Sequence, residues 1–364
     1  MGTRRETVTS MTAVRRGRRR GALILGAAAV MSAVVACGSS SSSGSASGGS
    51  SSGSGTKAAT NLNVLLDWFP NPDHIALYLA QKDGDFTKQH LNVTFQSPSN
   101  STDALKLVSL GQVPLAISYE PETIVAATDN LNVAAVAAMI PTPLNSLIIS
   151  GKSGVTSPAG LKGKTVGTDG DPTSAQMLKA VLKKYNMSLS QIKLVTVNEG
   201  LVPAMVSSKV SAIISGYRNV EAIQLASLGL KPKVYPVNTQ GVPNYDELVI
   251  IANKSKLASD PAYRTMVKEF LAGLGQGAAA AQASPAAALA ALSPVAKGYS
   301  PALLKQMVYA TAPLLKNPAG FGSMSVSQWQ SFANWMKSDG LITKPVQASS
   351  VVNTSLLPKS SRAS

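Results

Sequence analysis

Short apolar strands alternate with helices along most of this chain, and this alternation constrains its fold more than any other feature. The first series is predicted to contain a strand at 62–66, a helix capped by Asp73, a strand at 91–96, a helix at 102–110, a strand at 115–118, a helix at 122–129 and a strand at 133–138. Strands separated by helices of this length are typical of parallel βαβ units. The sequence therefore predicts an α/β fold.

The alternation then starts a second time. This series is predicted to contain a strand at 164–168, a helix at 173–185, a strand at 192–197, a helix at 201–208, a strand at 211–215, a helix at 219–228 and a strand at 233–237. An apolar strand at 248–252 follows, and the chain from 261 to 340 reads as helices. The Ala-rich stretch 277–291 favours close helix packing, because Ala is the best helix former.

Two series of this kind predict two lobes with two crossings between them, and such crossings act as a hinge. We expect the following division: lobe 1 from 59–147 plus 241–345, lobe 2 from 148–240, and a tail at 346–364. Open α/β sheets bind ligands at the carboxyl ends of their strands. Two lobes that face each other would therefore enclose a binding cleft.

The N-terminal segment has the pattern of an export signal. An Arg-rich stretch at 15–20 precedes an apolar run at 22–36, which is short for a membrane span of about 20 residues. The run ends in VVAC, which resembles a bacterial lipobox, so 1–36 is predicted to be a lipoprotein signal peptide and Cys37 the acylated residue. Residues 37–58 are mostly Ser and Gly and are predicted to tether the folded body to the membrane.

Charge and composition exclude several classes of protein. The formal net charge is +15, but 1–36 contain seven Arg and one Glu, and the remainder carries 26 Lys and Arg against 17 Asp and Glu. This surplus is scattered lysine, not the clustered basic face of a nucleic-acid-binding protein. One cysteine excludes an internal disulfide framework and a Cys-based zinc cluster. Because there are only two histidines, His74 and His90, we predict no metal and no cofactor.

Five segments resemble the solute-binding proteins of the NMT1/THI5-like group, especially the binders of thiamine-pyrimidine precursors. They are 66–74 (LDWFPNPDH), 117–120 (ISYE), 161–167 (LKGKTVG), 216–221 (GYRNVE) and 241–248 (GVPNYDEL). The third is common to many binders, and Arg218 stands where the group often has Trp. The resemblance implies a two-lobed periplasmic-binding-protein-like fold of type II, and a monomer that delivers a small solute to ABC permease subunits.

A planar nitrogen heterocycle needs aromatic faces and hydrogen bonds at its edges. Trp68, Tyr119 and Tyr217 each follow a predicted strand, so they are candidates for stacking or for core packing. Glu221 begins a helix and either accepts hydrogen bonds from an aminopyrimidine or favours the helix dipole.

Polar candidates complete the predicted ligand-binding set. Asp67 and Asn71 reach ligand edges or cap their own turn, and His74 binds ligand or packs on the first helix. The helix start at Asp171 either holds an anionic group such as a formyl oxygen, sulfonate or phosphate, or is an ordinary cap. The other candidates are Glu120, Thr173, Ser174, Asn198, Asn219 and Tyr245.

Other solutes and other classes of protein remain open. Taurine or another sulfonate, nitrate and other aromatic heterocycles are alternative solutes, although an acid in the cleft disfavours a sulfonate. An enzyme of pyrimidine metabolism is a weaker alternative, because there is no G-x-S-x-G, H-E-x-x-H, P-loop or GxGxxG motif in place. A structural lipoprotein would have no small-molecule cleft.

Overall fold

The computed structural model describes residues 58–99, 103–197 and 200–358. The strands are β1 (Thr60–Leu65), β2 (Leu91–Gln96), β3 (Leu115–Ser118), β4 (Val133–Ile140), β5 (Asn145–Ile149), β6 (Thr165–Thr168), β7 (Lys193–Thr196), β8 (Ala212–Tyr217), β9 (Lys233–Pro236) and β10 (Leu248–Asn253). The predicted signal peptide, Cys37 and nearly all of the predicted tether lie outside the described residues. No helix within those residues has both the length and the apolar character needed to cross a membrane.

The helices lie between and after these strands. They are α1 (Ile75–Lys82), α2 (Asp85–Lys88), α3 (Asp103–Ser109), α4 (Glu120–Thr128), α5 (Pro172–Lys184), α6 (Leu201–Val206), α7 (Glu221–Ser227), α8 (Lys254–Ser259), α9 (Pro261–Ala283), α10 (Pro285–Leu292), α11 (Pro301–Thr311) and α12 (Val326–Ser338). Several begin at a side-chain cap followed by proline, as the long helix α9 does at Asp260 and Pro261.

The described strands form two sheets, with the orders β2-β1-β3-β10-β4 and β7-β6-β8-β5-β9. We call the first sheet with α1–α4 and α8–α12 the first lobe, and the second sheet with α5–α7 the second lobe. β1 pairs in parallel with β2 and β3, and β6 with β7 and β8. In contrast, β10 and β5 are antiparallel to both of their neighbours. The strands that alternate with helices pair in parallel, as predicted, and the sheets are mixed because β5 and β10, which lie outside that alternation, run the other way.

Packing in the first lobe brings helices into close contact. Helix α1 lies against α9, and a Cβ atom at Gly277 would overlap the backbone of Ala76 and Ala80. A residue without a side chain lets these two helices approach, as the small residues of 277–291 indicated. The approach holds α1 over the sheet and fixes the turn between β1 and α1.

The first crossing between the lobes differs in detail from the prediction, which placed it at 147–150, around the boundary between 147 and 148. That segment belongs instead to strand β5 and the residue after it, and β5 begins at Asn145. β5 lies between β8 and β9, so the crossing is the short segment 141–144. The lobe boundaries predicted from the sequence remain a prediction.

Candidate functional site

A cleft of about 940 Å³ is lined by residues from both lobes. β1 pairs with β2 on one side and β3 on the other, and β6 is flanked in the same way by β7 and β8. Each is thus a point where strand order reverses, which is where open α/β sheets bind ligands. The segments that follow these strands, 67–71 and 169–174, both line the cleft.

Asp67 organises the first-lobe wall. Its Oδ1 lies 2.7 Å from Nε2 of His74, and its Oδ2 accepts a 2.7 Å hydrogen bond from the hydroxyl of Tyr119. Burial alone would raise the pKa of Asp67, but attraction to His74 and the hydrogen bonds from His74 and Tyr119 outweigh burial and lower it. Asp67 therefore stays charged and fixes the ring of Tyr119.

The three aromatic candidates come together in this cleft. Trp68 and Tyr119 line it from the first lobe and Tyr217 from the second. Trp68 is half-buried, with its ring edge-to-face to Phe69 at 5.8 Å between centroids. Stacking on such rings contributes about 0.5–1.5 kcal/mol each beyond buried area. Their binding of a ligand remains a prediction, but their positions permit it.

Glu221 lines the same cleft from the start of α7. Its Oε2 accepts a 2.7 Å hydrogen bond from the backbone N–H of Tyr217, so the acid is fixed to the end of β8. Burial raises the pKa of Glu221, while the hydrogen bonds from the Tyr217 and Glu221 backbone oppose this. A carboxylate has about four lone-pair sites, so it can also accept from a donor on a ligand.

The helix start at Asp171 is an ordinary cap. Oδ1 of Asp171 accepts from the N–H of Thr173 at 2.8 Å, and the Asp171 carbonyl accepts from the N–H of Ser174 at 3.1 Å. Oδ2 of Asp169 also accepts from the Ser174 hydroxyl. Thr173 and Ser174 do line the cleft. The donors that were candidates for an anion are occupied, and carboxylates surround them.

Three predicted site residues do not line the cleft, although they lie behind its walls. His74, Glu120 and Asn219 are 0%, 0% and 2% exposed. Glu120 accepts from the N–H of Asp246 at 2.7 Å and from Gln328, so it supports the segment before β10. Asn198 lies outside the described residues. Tyr245 lines the cleft and is almost fully buried.

Asn219 connects the two lobes. From the loop between β8 and α7, its amide donates to Oδ1 of Asp73 at 2.6 Å and to Oγ1 of Thr311 at 2.8 Å, both in the first lobe. Burial raises the pKa of Asp73 well above its usual value, although the hydrogen bond from Asn219 opposes this. The residue therefore fixes the loop that carries Tyr217 and Glu221.

We expect Asn219→Ala to reduce the free energy of unfolding by about 1–2 kcal/mol, because two buried hydrogen bonds are lost. Thr311→Val is the matched control: it removes one of the two acceptors and should cost about half as much. Thermal unfolding of both variants measures the difference. An Asn219→Ala protein as stable as the wild type would show that this bridge does not hold the lobes.

Several cleft residues were not predicted from the sequence. They are Glu122, Asn145, Asp169, Met177, Ser215, Glu247 and Tyr299. Glu247 is two residues past Tyr245 in the segment that carried the family resemblance, and Glu122 is two residues past another such segment. Their closeness to the segments that resemble the family was the signal in the sequence that could have identified these two residues.

No group of His, Cys, Asp and Glu among the described residues is arranged to hold a metal ion.

Known proteins resemble this chain in sequence and in fold. A protein of Haemophilus influenzae named as a thiamine biosynthesis protein is 32% identical, covering 79% of this chain and 90% of its own. A formylaminopyrimidine-binding protein of Halalkalibacterium halodurans is 31% identical, and the match covers 81% of this chain and 90% of that protein. Fungal relatives named as pyrimidine phosphate synthases are more distant, and the one from Aspergillus parasiticus is 26% identical over 62% of this chain and 68% of its own.

The solved structure of the alkanesulfonate-binding protein from Xanthomonas axonopodis pv. citri has a TM-score of 0.64 and 17% identity, covering 81% of this chain and 99% of that one. This likeness confirms the expected two-lobed periplasmic-binding-protein fold of type II. The family model described as NMT1/THI5 like matches residues 71–288. The resemblance seen in the five segments is thus confirmed, and the chain belongs to the NMT1/THI5-like family.

Proposed function

We propose that this protein binds a small thiamine-pyrimidine precursor, of the hydroxymethyl- or formylaminopyrimidine type, and delivers it to an ABC permease. One observation carries the proposal: three aromatic rings and the carboxylate of Glu221 meet in one cleft between two lobes. A relative that is 31% identical is named for binding formylaminopyrimidine.

The cleft suits such a solute chemically. The rings of Trp68, Tyr119 and Tyr217 offer faces to a flat heterocycle, and Oε1 of Glu221 accepts from its exocyclic amine and ring N–H. Trp68 and Tyr119 belong to the first lobe and Glu221 to the second. A ligand held by both lobes binds the closed form more tightly than the open form, so it shifts the population towards closure. We propose that the closed form is the one that docks on the permease.

The cellular location that we propose for this protein rests on its N-terminal sequence. An acylated Cys37 would anchor the protein on the extracytoplasmic face of the cell membrane, and the Ser/Gly tether to residue 58 would let the folded monomer reach the permease. Two or more acyl chains suffice for stable anchoring, at about 0.8 kcal/mol per buried methylene. Labelling with a radioactive or clickable fatty acid tests this step directly, with Cys37→Ser as the unlabelled control.

The solute is tested by titration calorimetry with hydroxymethyl- and formylaminopyrimidine, and with taurine and nitrate as controls. We expect binding of at least one pyrimidine and of neither control, because the sulfonate group of taurine and the nitrate ion would both meet the carboxylates that line the cleft. Chromatography of the recovered pyrimidine should show it unchanged. Conversion of the pyrimidine would support an enzyme instead, and tight binding of taurine would support a sulfonate carrier.

A further inference from the structure

Strand β8 has a backbone irregularity where it borders the cleft. The register of β5 and β8 places one residue of β5, Leu147, opposite two residues of β8, Ile214 and Ser215. This is a β-bulge, and bulges next to active sites re-aim a side chain. Ser215 lines the cleft and has a φ of 75°. Inside the described strands it is the one residue other than glycine with a positive φ.

Ser215 carries two costs at this position. Glycine adopts a positive φ without the clash that a Cβ atom suffers, and backbone strain of this kind clusters at ligand-binding and active sites. In addition, Oγ of Ser215 is buried and has no hydrogen-bond partner among the described residues, which lowers stability further. Backbone geometry and internal hydrogen bonding therefore leave this serine unexplained, and a ligand in the cleft would explain it.

Asn145 supplies a second polar group to the same wall. It lines the cleft opposite Tyr217 in β5 and is 7% exposed. Its Oδ1 accepts from the N–H of Ser215 at 3.1 Å, which fixes the amide and leaves its NH₂ group as the side that can bind a ligand. Nδ2 donates at 3.6 Å to the sulfur of Met177, which is a weak acceptor. A stronger acceptor in the cleft would replace that contact.

The other side-chain donors of β5 and β8, both fully described, are already bonded. Ser146 donates to a backbone carbonyl at 3.0 Å, and the hydroxyl of Tyr217 donates to Glu247 at 3.4 Å. The hydroxyl of Ser215 and the NH₂ group of Asn145 are thus the donors that these strands offer to a ligand. Neither group is charged, so the pair suits a neutral oxygen better than a sulfonate or a nitrate ion.

We propose that Ser215 and Asn145 form a subsite for a carbonyl oxygen, and that the solute is a pyrimidine with a formylamino side arm. The inference rests on the function proposed above and deepens it, since that function leaves the hydroxymethyl and formylamino arms open. A carbonyl oxygen has two lone pairs and accepts from both donors at once. With a hydroxymethyl arm, two hydroxyl protons compete for one contact and one of them stays unpaired.

The position of this subsite agrees with the position of Glu221. Ser215 precedes Tyr217 by two residues, and Glu221 accepts from the N–H of Tyr217 at 2.7 Å. Residues two positions apart on a strand are about 6.5–7 Å from each other. Ser215 is half-buried at the cleft, and rotation about its Cα–Cβ bond turns the hydroxyl among staggered positions. A ring whose amine lies at Glu221 therefore has its side arm within reach of Ser215.

Ser215→Gly tests the subsite through two measurements that should move in opposite directions. Glycine relieves the positive φ and removes the unpaired hydroxyl, so the variant should unfold at a higher temperature than the wild type. Titration calorimetry should show the formylaminomethyl pyrimidine bound about three- to tenfold more weakly, because one hydrogen bond is lost, and the hydroxymethyl pyrimidine affected less. Ser215→Ala keeps the Cβ atom and should lose as much affinity as Ser215→Gly.

Asn145→Asp tests the second donor. The carboxylate keeps the shape of the side chain and an acceptor for the N–H of Ser215, but an oxygen replaces the NH₂ group. Two acceptors then oppose each other, and the formylaminomethyl pyrimidine should bind at least about tenfold more weakly. Ser146→Ala is the matched control: it removes a fully buried serine hydroxyl of β5 that does not line the cleft. Its affinity for both pyrimidines should equal that of the wild type.

The results distinguish this inference from the proposed function. If the wild type binds the hydroxymethyl pyrimidine at least as tightly as the formylaminomethyl one, the carbonyl subsite is wrong and the proposed function stands. The same holds if Ser215→Gly keeps full affinity, weakens both pyrimidines equally, or loses affinity that Ser215→Ala retains. If neither pyrimidine binds to the wild type, the proposed function itself fails.

Discussion

Replacing Glu221 with glutamine should weaken the binding of an aminopyrimidine by about ten- to a hundredfold, because a hydrogen bond to a charged group is worth about 1.5–3 kcal/mol. The amide oxygen of glutamine can still accept from the N–H of Tyr217, as Oε2 of Glu221 does at 2.7 Å. The loop therefore keeps its conformation, and an NH₂ group replaces the oxygen that faces the ligand. Two donors then oppose each other, so the affinity falls without loss of fold.

Titration calorimetry measures this effect, and Glu120→Gln is the matched control. Glu120 is also a buried glutamate at the start of a helix, but it binds Asp246 and Gln328 behind the cleft. Its replacement should leave the affinity unchanged even if it lowers the stability. Equal affinities for wild type and Glu221→Gln would remove Glu221 from the site. Equal losses in both variants would indicate a general disturbance of the protein.

The bounds of a strand could be predicted from the sequence where turn-forming residues lie on both sides of a short apolar run. Strands β2 and β3 have the predicted bounds, and β10 differs by one residue. Strand β5 was missed because its apolar run, 147–149, is only three residues long and follows the polar residues Asn145 and Ser146. The reversed direction of β5 and β10 could not be read either, since side-chain alternation is the same in parallel and antiparallel strands.

The site could be predicted where it depends on strand ends. Trp68, Tyr119 and Tyr217 follow strands, so topology alone brings them to the cleft. The roles of buried polar residues could not be predicted, because a residue in a matched motif can face the ligand or support the wall. His74 and Asn219 support the wall, by contacts to residues 7 and 146 positions away.

Glu247 joins the two crossings between the lobes. Its Oε2 accepts from the N–H of Leu144, at the end of the first crossing, at 2.5 Å, and from the N–H of Asn145, the first residue of β5, at 3.0 Å. The same oxygen accepts from the hydroxyl of Tyr245 at 3.1 Å, on the returning segment. Oε1 accepts a longer bond of 3.4 Å from the Tyr217 hydroxyl. One buried carboxylate thus satisfies two backbone donors where the first crossing meets β5.

We expect Glu247→Ala to lower the free energy of unfolding by about 3–5 kcal/mol, the largest stability effect among the variants considered. The loss combines two backbone N–H groups left unpaired in the interior, at about 1–3 kcal/mol each, with the loss of two tyrosine hydrogen bonds. Urea unfolding followed by circular dichroism measures it.

Glu247→Gln distinguishes the charge of the carboxylate from its packing and its hydrogen bonds, because glutamine keeps the size of the side chain and one acceptor oxygen. The amide oxygen of glutamine can take the place of Oε2 and keep both backbone donors, so this variant should lose about 1 kcal/mol or less. Its NH₂ group would face Tyr217, whose hydroxyl can accept. If Glu247→Ala and Glu247→Gln lose the same free energy, the side-chain volume and acceptor that glutamine retains do not hold the crossings together, and the charge of the carboxylate does. A difference of several kcal/mol would show that the retained volume and hydrogen bonds carry most of the stabilisation.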